Sequence, residues 1–167
     1  MAIPAELTPL ECGVPQLPQP RTVPQRHLLS PRRPGPLPST GSYPHEFLKP
    51  LTVIILTWNE ERHLERCLEN VRDHVQDMIV VDSGSTDRTQ DIARAHGARV
   101  LVHPFRYQAD QFNWALDHVG IHTEWILRLD ADEYLLPELW NEIRRVLPTA
   151  SIEIQGYTMK RRVLFMN

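Results

Sequence analysis

Glu124-Trp-Ile-Leu-Arg-Leu129 runs directly into Asp130-Ala-Asp-Glu133, and the reading of this junction decides the fold. The first six residues read as a buried strand. The next four put two carboxylates, one residue apart, where that strand ends. Alternate residues of an extended segment point the same way, so Asp130 and Asp132 can face one site. In an open α/β sheet the strand-exit edge is where ligands bind. Hard carboxylate oxygens at this spacing suit Mg2+ or Mn2+, which usually comes with substrate phosphates. The plainer alternative is that one aspartate caps the following helix and the others are solvated.

Working outward, the chain alternates strand and helix. Leu51-Thr-Val-Ile-Ile-Leu-Thr57 is apolar and β-branched, as a strand covered on both faces should be. Asn59 is placed to cap a helix over about 60–71, with Leu64, Cys67, Leu68 and Val71 on one face. Met78-Ile-Val-Val81 predicts a second strand. Ser85 or Thr86 can cap a helix through Ala95, with Ile92 and Ala95 inward and Gly97 ending it. A third strand spans 98–103, closed by Pro104, and a third helix spans 107–119 with Phe112, Ala115, Leu116 and Val119 as its stripe. Pro137 fits the first turn of a helix through Leu147 that presents Trp140, Ile143 and Val146. Residues 153–165 are strand-like.

This rhythm predicts an α/β fold with a mostly parallel, Rossmann-like sheet and flanking helices. Four strand exits then share one edge: Thr57-Trp-Asn-Glu-Glu61, Asp82-Ser-Gly-Ser-Thr-Asp87, His103-Pro-Phe-Arg-Tyr107 and Asp130-Ala-Asp-Glu133. Polar and acidic residues crowd these exits while the strands stay apolar, which marks a candidate site.

Composition sets the limits. Of 15 prolines only Pro104, Pro137 and Pro148 follow Pro50. The stretch 1–48 has few apolar clusters and no period, so it is expected to be a disordered, polyproline-biased tail, with the folded domain over 49–167. A net charge of −3 argues against a nucleic-acid partner. Two cysteines, Cys12 and Cys67, are too few for a disulfide framework or zinc site, and nothing resembles a signal peptide. The expectation is a cytoplasmic protein, with peripheral contact at the inner membrane face compatible with its slightly basic tail.

At the exits, Asp82 can accept hydrogen bonds from a ribose or a base N–H. Asp87 at a helix start is explained equally by the helix dipole. Thr57 and Asn59 face the ligand edge, although capping alone would account for Asn59 and Glu60. Neither a G-x-G-x-x-G loop nor a Walker lysine motif occurs. A diphosphate would therefore be met by metal at Asp132 and by a cation, with Arg106 of the third exit preferred over Arg62 and Arg128. Trp114, Trp125 and Trp140 read as core, and Trp58 as a residue that can flank a base. Spacing alone assigns no metal role to the eight histidines.

These four exits, together with Gln111-Phe-Asn113, resemble family 2 glycosyltransferases in order and spacing, nearest the branch that includes lipopolysaccharide-core glucosyltransferases. The resemblance covers Leu51 to about Asn167 and none of the tail. It implies a GT-A fold, a nucleotide-diphosphate-sugar donor, Mn2+ or Mg2+, inversion at the anomeric carbon, and a saccharide or lipid-linked acceptor. By position it implies that Thr57, Asn59, Glu60, Asp82, Asn113 and Asp130 bind the nucleotide sugar. Asp130 and Asp132 would form the D-x-D metal element, with Asp132 the stronger ligand. Phe112 stands where many relatives have arginine, which adds interest to Arg106. The resemblance places the general base beyond Asn167, so no catalytic residue is expected within the chain and no transfer by it alone. A non-catalytic nucleotide-sugar-binding module and a nucleotidyltransferase remain as alternatives.

Overall fold

The computed structural model describes residues 2–3, 7–10 and 51–162. The elements run β1 (Ala2–Ile3), β2 (Leu7–Leu10), β3 (Leu51–Thr57), α1 (Leu64–Val71), β4 (Asp77–Asp82), α2 (Thr89–Ala95), β5 (Arg99–Val102), α3 (Gln108–His118), β6 (Trp125–Asp130), β7 (Tyr134–Leu135), α4 (Pro137–Val146) and β8 (Gly156–Met159). The central sheet has the order β5-β4-β3-β6, and every pairing in it is parallel.

β3 lies between β4 and β6, so both its edges are paired, and helices cover its two faces. Val53 and Ile55 join the main core with Leu64, Leu68 and Val71 of α1 and Leu139, Trp140 and Ile143 of α4. Ile54 faces the other way, into a smaller cluster with Ile79, Val81, Ala115 and Val119. This two-sided burial explains the unbroken apolar run of the strand. Register brings the exits level: Thr57 pairs with Asp82, Leu56 with Asp130, and Asp82 with Val102.

Several expectations are corrected. α1 begins at Leu64, and Asn59 does not cap it: Asn59 sits at a φ of 54°, and the 60–63 segment is a turn closed by His63 N–H to Glu60 O at 3.0 Å. α2 begins at Thr89 rather than after Ser85 or Thr86, and it buries Thr89 and Ala93 while Ala95 is exposed. α3 buries Gln111 and Ala115, leaving Leu116 37% exposed.

Two short segments of the expected tail are among the described residues. Of these, β1 pairs parallel with β7, and β2 pairs antiparallel with β8. β7 and β8 lie outside the central sheet and offer backbone edges to these short segments. Pro9 in β2 is compatible with an edge strand, where alternate N–H groups are not needed by a ladder. The rest of 1–48 lies outside the described residues, as do 163–165 of the last strand-like stretch. No helix among the described residues is long and apolar enough to cross a membrane.

Candidate functional site

The first two exits are bonded to each other. Asn59 N–H donates to Ser85 Oγ at 2.8 Å, and Thr86 N–H donates to Asn59 Oδ1 at 2.9 Å. Glu60 N–H donates to Thr89 Oγ1 at 2.8 Å, and Glu61 N–H to Asp87 Oδ2 at 3.1 Å. Asp87 also accepts the Thr89 N–H at 3.0 Å, which supports its structural reading at the helix start. Much of the polar crowding at these exits is therefore loop-to-loop cross-bonding.

Asp82 is the hub of that network and has no exposed surface. Its Oδ1 accepts from Thr57 Oγ1 at 3.0 Å and Ser85 Oγ at 2.5 Å. Its Oδ2 accepts from Gly84 N–H at 3.0 Å, Ser85 N–H at 2.8 Å and Gln90 Nε2 at 2.8 Å. Burial pushes the carboxyl up, but the donors from Ser85, Thr57 and Gln90 outweigh it and hold it below the usual carboxylate range. Gly84 takes a φ of 90° within this tight turn, a conformation natural to glycine. Asp82 thus shapes the cleft wall instead of presenting a bare carboxylate to it.

A cleft of about 650 Å3 lies where the exits converge, lined by Leu56, Thr57, Trp58, Glu60, Ser83, Pro104, Phe105, Gln108, Gln111, Asp130, Ala131 and Asp132. It gathers Thr57, Glu60, Asp130 and Asp132 from the expected set; Asn59, Asp82, Arg106 and Asn113 do not line it. Arg106, expected to meet a diphosphate, is 74% exposed, faces Asp110 at 3.9 Å and is not among the residues lining the cleft. Asn113 is exposed on α3. Trp58 and Phe105, 67% and 60% exposed, form apolar walls.

Gln111 is the residue this reading undervalued. It is buried, and its Nε2 donates to Ser83 Oγ at 2.5 Å and His103 O at 2.9 Å. Its Oε1 is buried without a hydrogen-bond partner among the described residues, and Gln111 is one of the residues lining the cleft. The signal was a polar residue at a helix position that also carries Ala115 one turn on.

The exit loop of β6 carries dense charge. Asp130 Oδ1 lies 3.1 Å from Arg128 Nη2, and Oδ2 lies 3.4 Å from Arg161 Nη2. Glu133 is 2% exposed. Burial pushes its carboxyl above the usual range, Asp130 and Asp132 add to that, and the Asp130 N–H and Arg161 oppose it. Both Asp130 oxygens face arginines, and Asp132 lines the cleft beside it. Half-buried carboxylates of Asp130 and Asp132 at a cleft of about 650 Å3 fit an ion that keeps waters and shares substrate phosphates.

Two features lie elsewhere. A cleft of about 700 Å3 runs along β6 and 150–159, lined by Phe112, Leu116, Trp125 and Tyr157 among others, without an aspartate. Glu65, Glu69 and His96 come within 4.8 Å of one another, a grouping hidden from sequence spacing. His96 Nε2 lies 3.7 Å from Glu65 Oε1.

The architecture, with an acidic cleft at the sheet's exit edge, defines an α/β protein of the Rossmann-like class. A model of Glycosyl transferase family 2 matches residues 52–151, and the chain belongs to that family. Its parallel sheet with flanking helices is GT-A-like. An uncharacterized glycosyltransferase of Rickettsia bellii is 34% identical over 120 residues, 71% of this chain and 40% of that protein. The lipopolysaccharide core biosynthesis glycosyltransferase LpsC of Rhizobium meliloti is 34% identical over 118 residues, 68% of this chain and 42% of that protein. The chain thus spans well under half the length of these relatives. Among solved structures, glucosyl-3-phosphoglycerate synthase from Mycobacterium tuberculosis, in complex with Mn2+, uridine-diphosphate and glucosyl-3-phosphoglycerate, overlaps 55% of this chain and 39% of that one. The TM-score is 0.43 and the identity 24%.

Proposed function

We propose that residues 49–167 hold the donor site of a metal-dependent, inverting glycosyltransferase. The donor is a nucleotide-diphosphate sugar and the acceptor a hydroxyl of a saccharide or lipid-linked molecule. The observation that carries this reading is the convergence of Thr57, Glu60, Gln111, Asp130 and Asp132 on one cleft at the sheet's exit edge. Family membership supports the reaction class, and the similarity to LpsC supports a role in building lipopolysaccharide core.

In this account Trp58 and Phe105 flank the base, and the unpaired Gln111 Oε1 accepts a hydrogen bond from the donor. Thr57 and Asp82 support the pocket floor through their mutual bond. Asp132 would hold Mn2+ or Mg2+, with Asp130 as its neighbour in the D-x-D element. An ion bound there would supply positive charge against the charge developing on a departing diphosphate. Arg128 and Arg161 keep Asp130 oriented at the edge of that charge.

The test is release of nucleoside diphosphate from UDP-, GDP-, ADP- and dTDP-sugars. The full chain should hydrolyse one donor slowly in Mn2+, because assistance to the leaving group survives without a positioned acceptor. Asp132→Asn should abolish this release. Metal-independent release, or release unchanged in the variant, would contradict the assignment.

A further inference from the structure

Arg161 lies beyond residues 52–151, the part matched by the family model, yet it reaches the acidic exit loop. We propose that Arg161 and Glu133 form a positioning pair that holds the Asp130–Glu133 loop in its ligand-facing shape. The proposal rests on the donor-site reading above.

The geometry is that of a closed brace. Glu133 Oε2 accepts the Asp130 N–H at 3.0 Å, and Asp130 O accepts the Glu133 N–H at 3.0 Å. These reciprocal bonds close the four-residue turn. The other Glu133 oxygen, Oε1, lies 2.8 Å from Arg161 Nε. It is buried and has no aligned hydrogen-bond donor, so the contact is chiefly electrostatic. A buried carboxylate without its cation is strongly disfavoured, so the pair ties Arg161 to the loop. Arg161 Nη2 then reaches Asp130 Oδ2 while Arg128 takes Oδ1. The backbone that delivers Arg161 is itself anchored: Met159 packs against the main core, and β8 pairs with β2. Asp130 is thereby clamped from both sides, and Asp132, two residues on, lines the cleft.

A competing role gives the opposite sign. If Arg161 merely occupied the place of a metal cation, removing it would strengthen metal binding. If it positions the loop, removing it weakens metal binding, as loss of groups that orient metal ligands does elsewhere.

The experiment compares the full chain with Arg161→Gln and Arg161→Lys in two measurements. The first is amide hydrogen exchange without ligand. The Asp130 and Glu133 amides should exchange several-fold faster in Arg161→Gln, amides of β3 and β4 should be unchanged, and Arg161→Lys should recover most of the protection. The second is Mn2+ affinity by electron paramagnetic resonance, with whichever of UDP, GDP, ADP and dTDP binds the wild-type chain best. It should fall about ten-fold in Arg161→Gln and less in Arg161→Lys. Unchanged exchange at the loop, protection lost throughout β3 and β4, or Mn2+ affinity equal or higher in Arg161→Gln would overturn the proposal. Absence of Mn2+-dependent nucleotide binding by the wild type would instead overturn the proposed function, and the exchange measurement would still judge the pair.

Discussion

Asp82 stays ionised without any exposed surface because five donors converge on it. Asp82→Asn keeps the shape but turns an amide donor toward some of those donors. The substitution should cost about 2 kcal/mol at neutral pH, by chemical denaturation. The pH dependence has a definite sign. A carboxyl held below its ordinary range binds its proton more readily in the unfolded chain, so its stabilisation is present above the unfolded value near pH ~4 and is lost as pH falls through the folded value. The difference between wild type and Asp82→Asn should therefore be flat from neutral pH down to about pH 5 and shrink below about pH 4. A difference that instead grew on acidification would mean that the hub is not a carboxylate network.

Among the elements, β3 and α3 differ in how firmly they are packed. Ile54 is fully buried between β4 and α3, so Ile54→Ala should cost about 2–5 kcal/mol. Leu116 on α3 is 37% exposed, so Leu116→Ala should cost about 0.5 kcal/mol. Urea midpoints with a common slope would check both; equal losses would mean that α3 packs through the stripe its sequence suggests. That stripe shows where a periodic pattern stops being informative. The apolar runs of β3 and β4 were legible because a strand buried on two faces leaves few polar positions. The face chosen by α3 was not, since Gln111 is buried by hydrogen bonds to Ser83 and His103 that exist only after two other exits are placed. The start of α1 failed for a related reason. Asn59 is a good cap by type, but its side chain is claimed by Thr86 across the neighbouring loop. Thr57, Asp130 and Asp132 could be placed at the cleft from strand-exit position, and Glu60 from the family resemblance. Arg161 could not, because its link to Glu133 depends on the path of the chain after α4.

At the scale of the whole molecule, strand register decides the site. Parallel pairing brings Thr57, Asp82 and Asp130 to one level, and the loops beyond them enclose a single acidic cleft. The central claim is that this cleft binds a nucleoside diphosphate through a divalent ion held at Asp132. Calorimetric titration of UDP, GDP, ADP and dTDP into the full chain tests it most directly, with Mn2+, with a chelator, and with Asp132→Asn in Mn2+. The account predicts binding of at least one nucleotide in Mn2+, weakened about ten-fold or more by the chelator and by the variant, whose melting temperature stays that of the wild type. Nucleotide affinity that is the same with and without metal, or the same in Asp132→Asn, would contradict it.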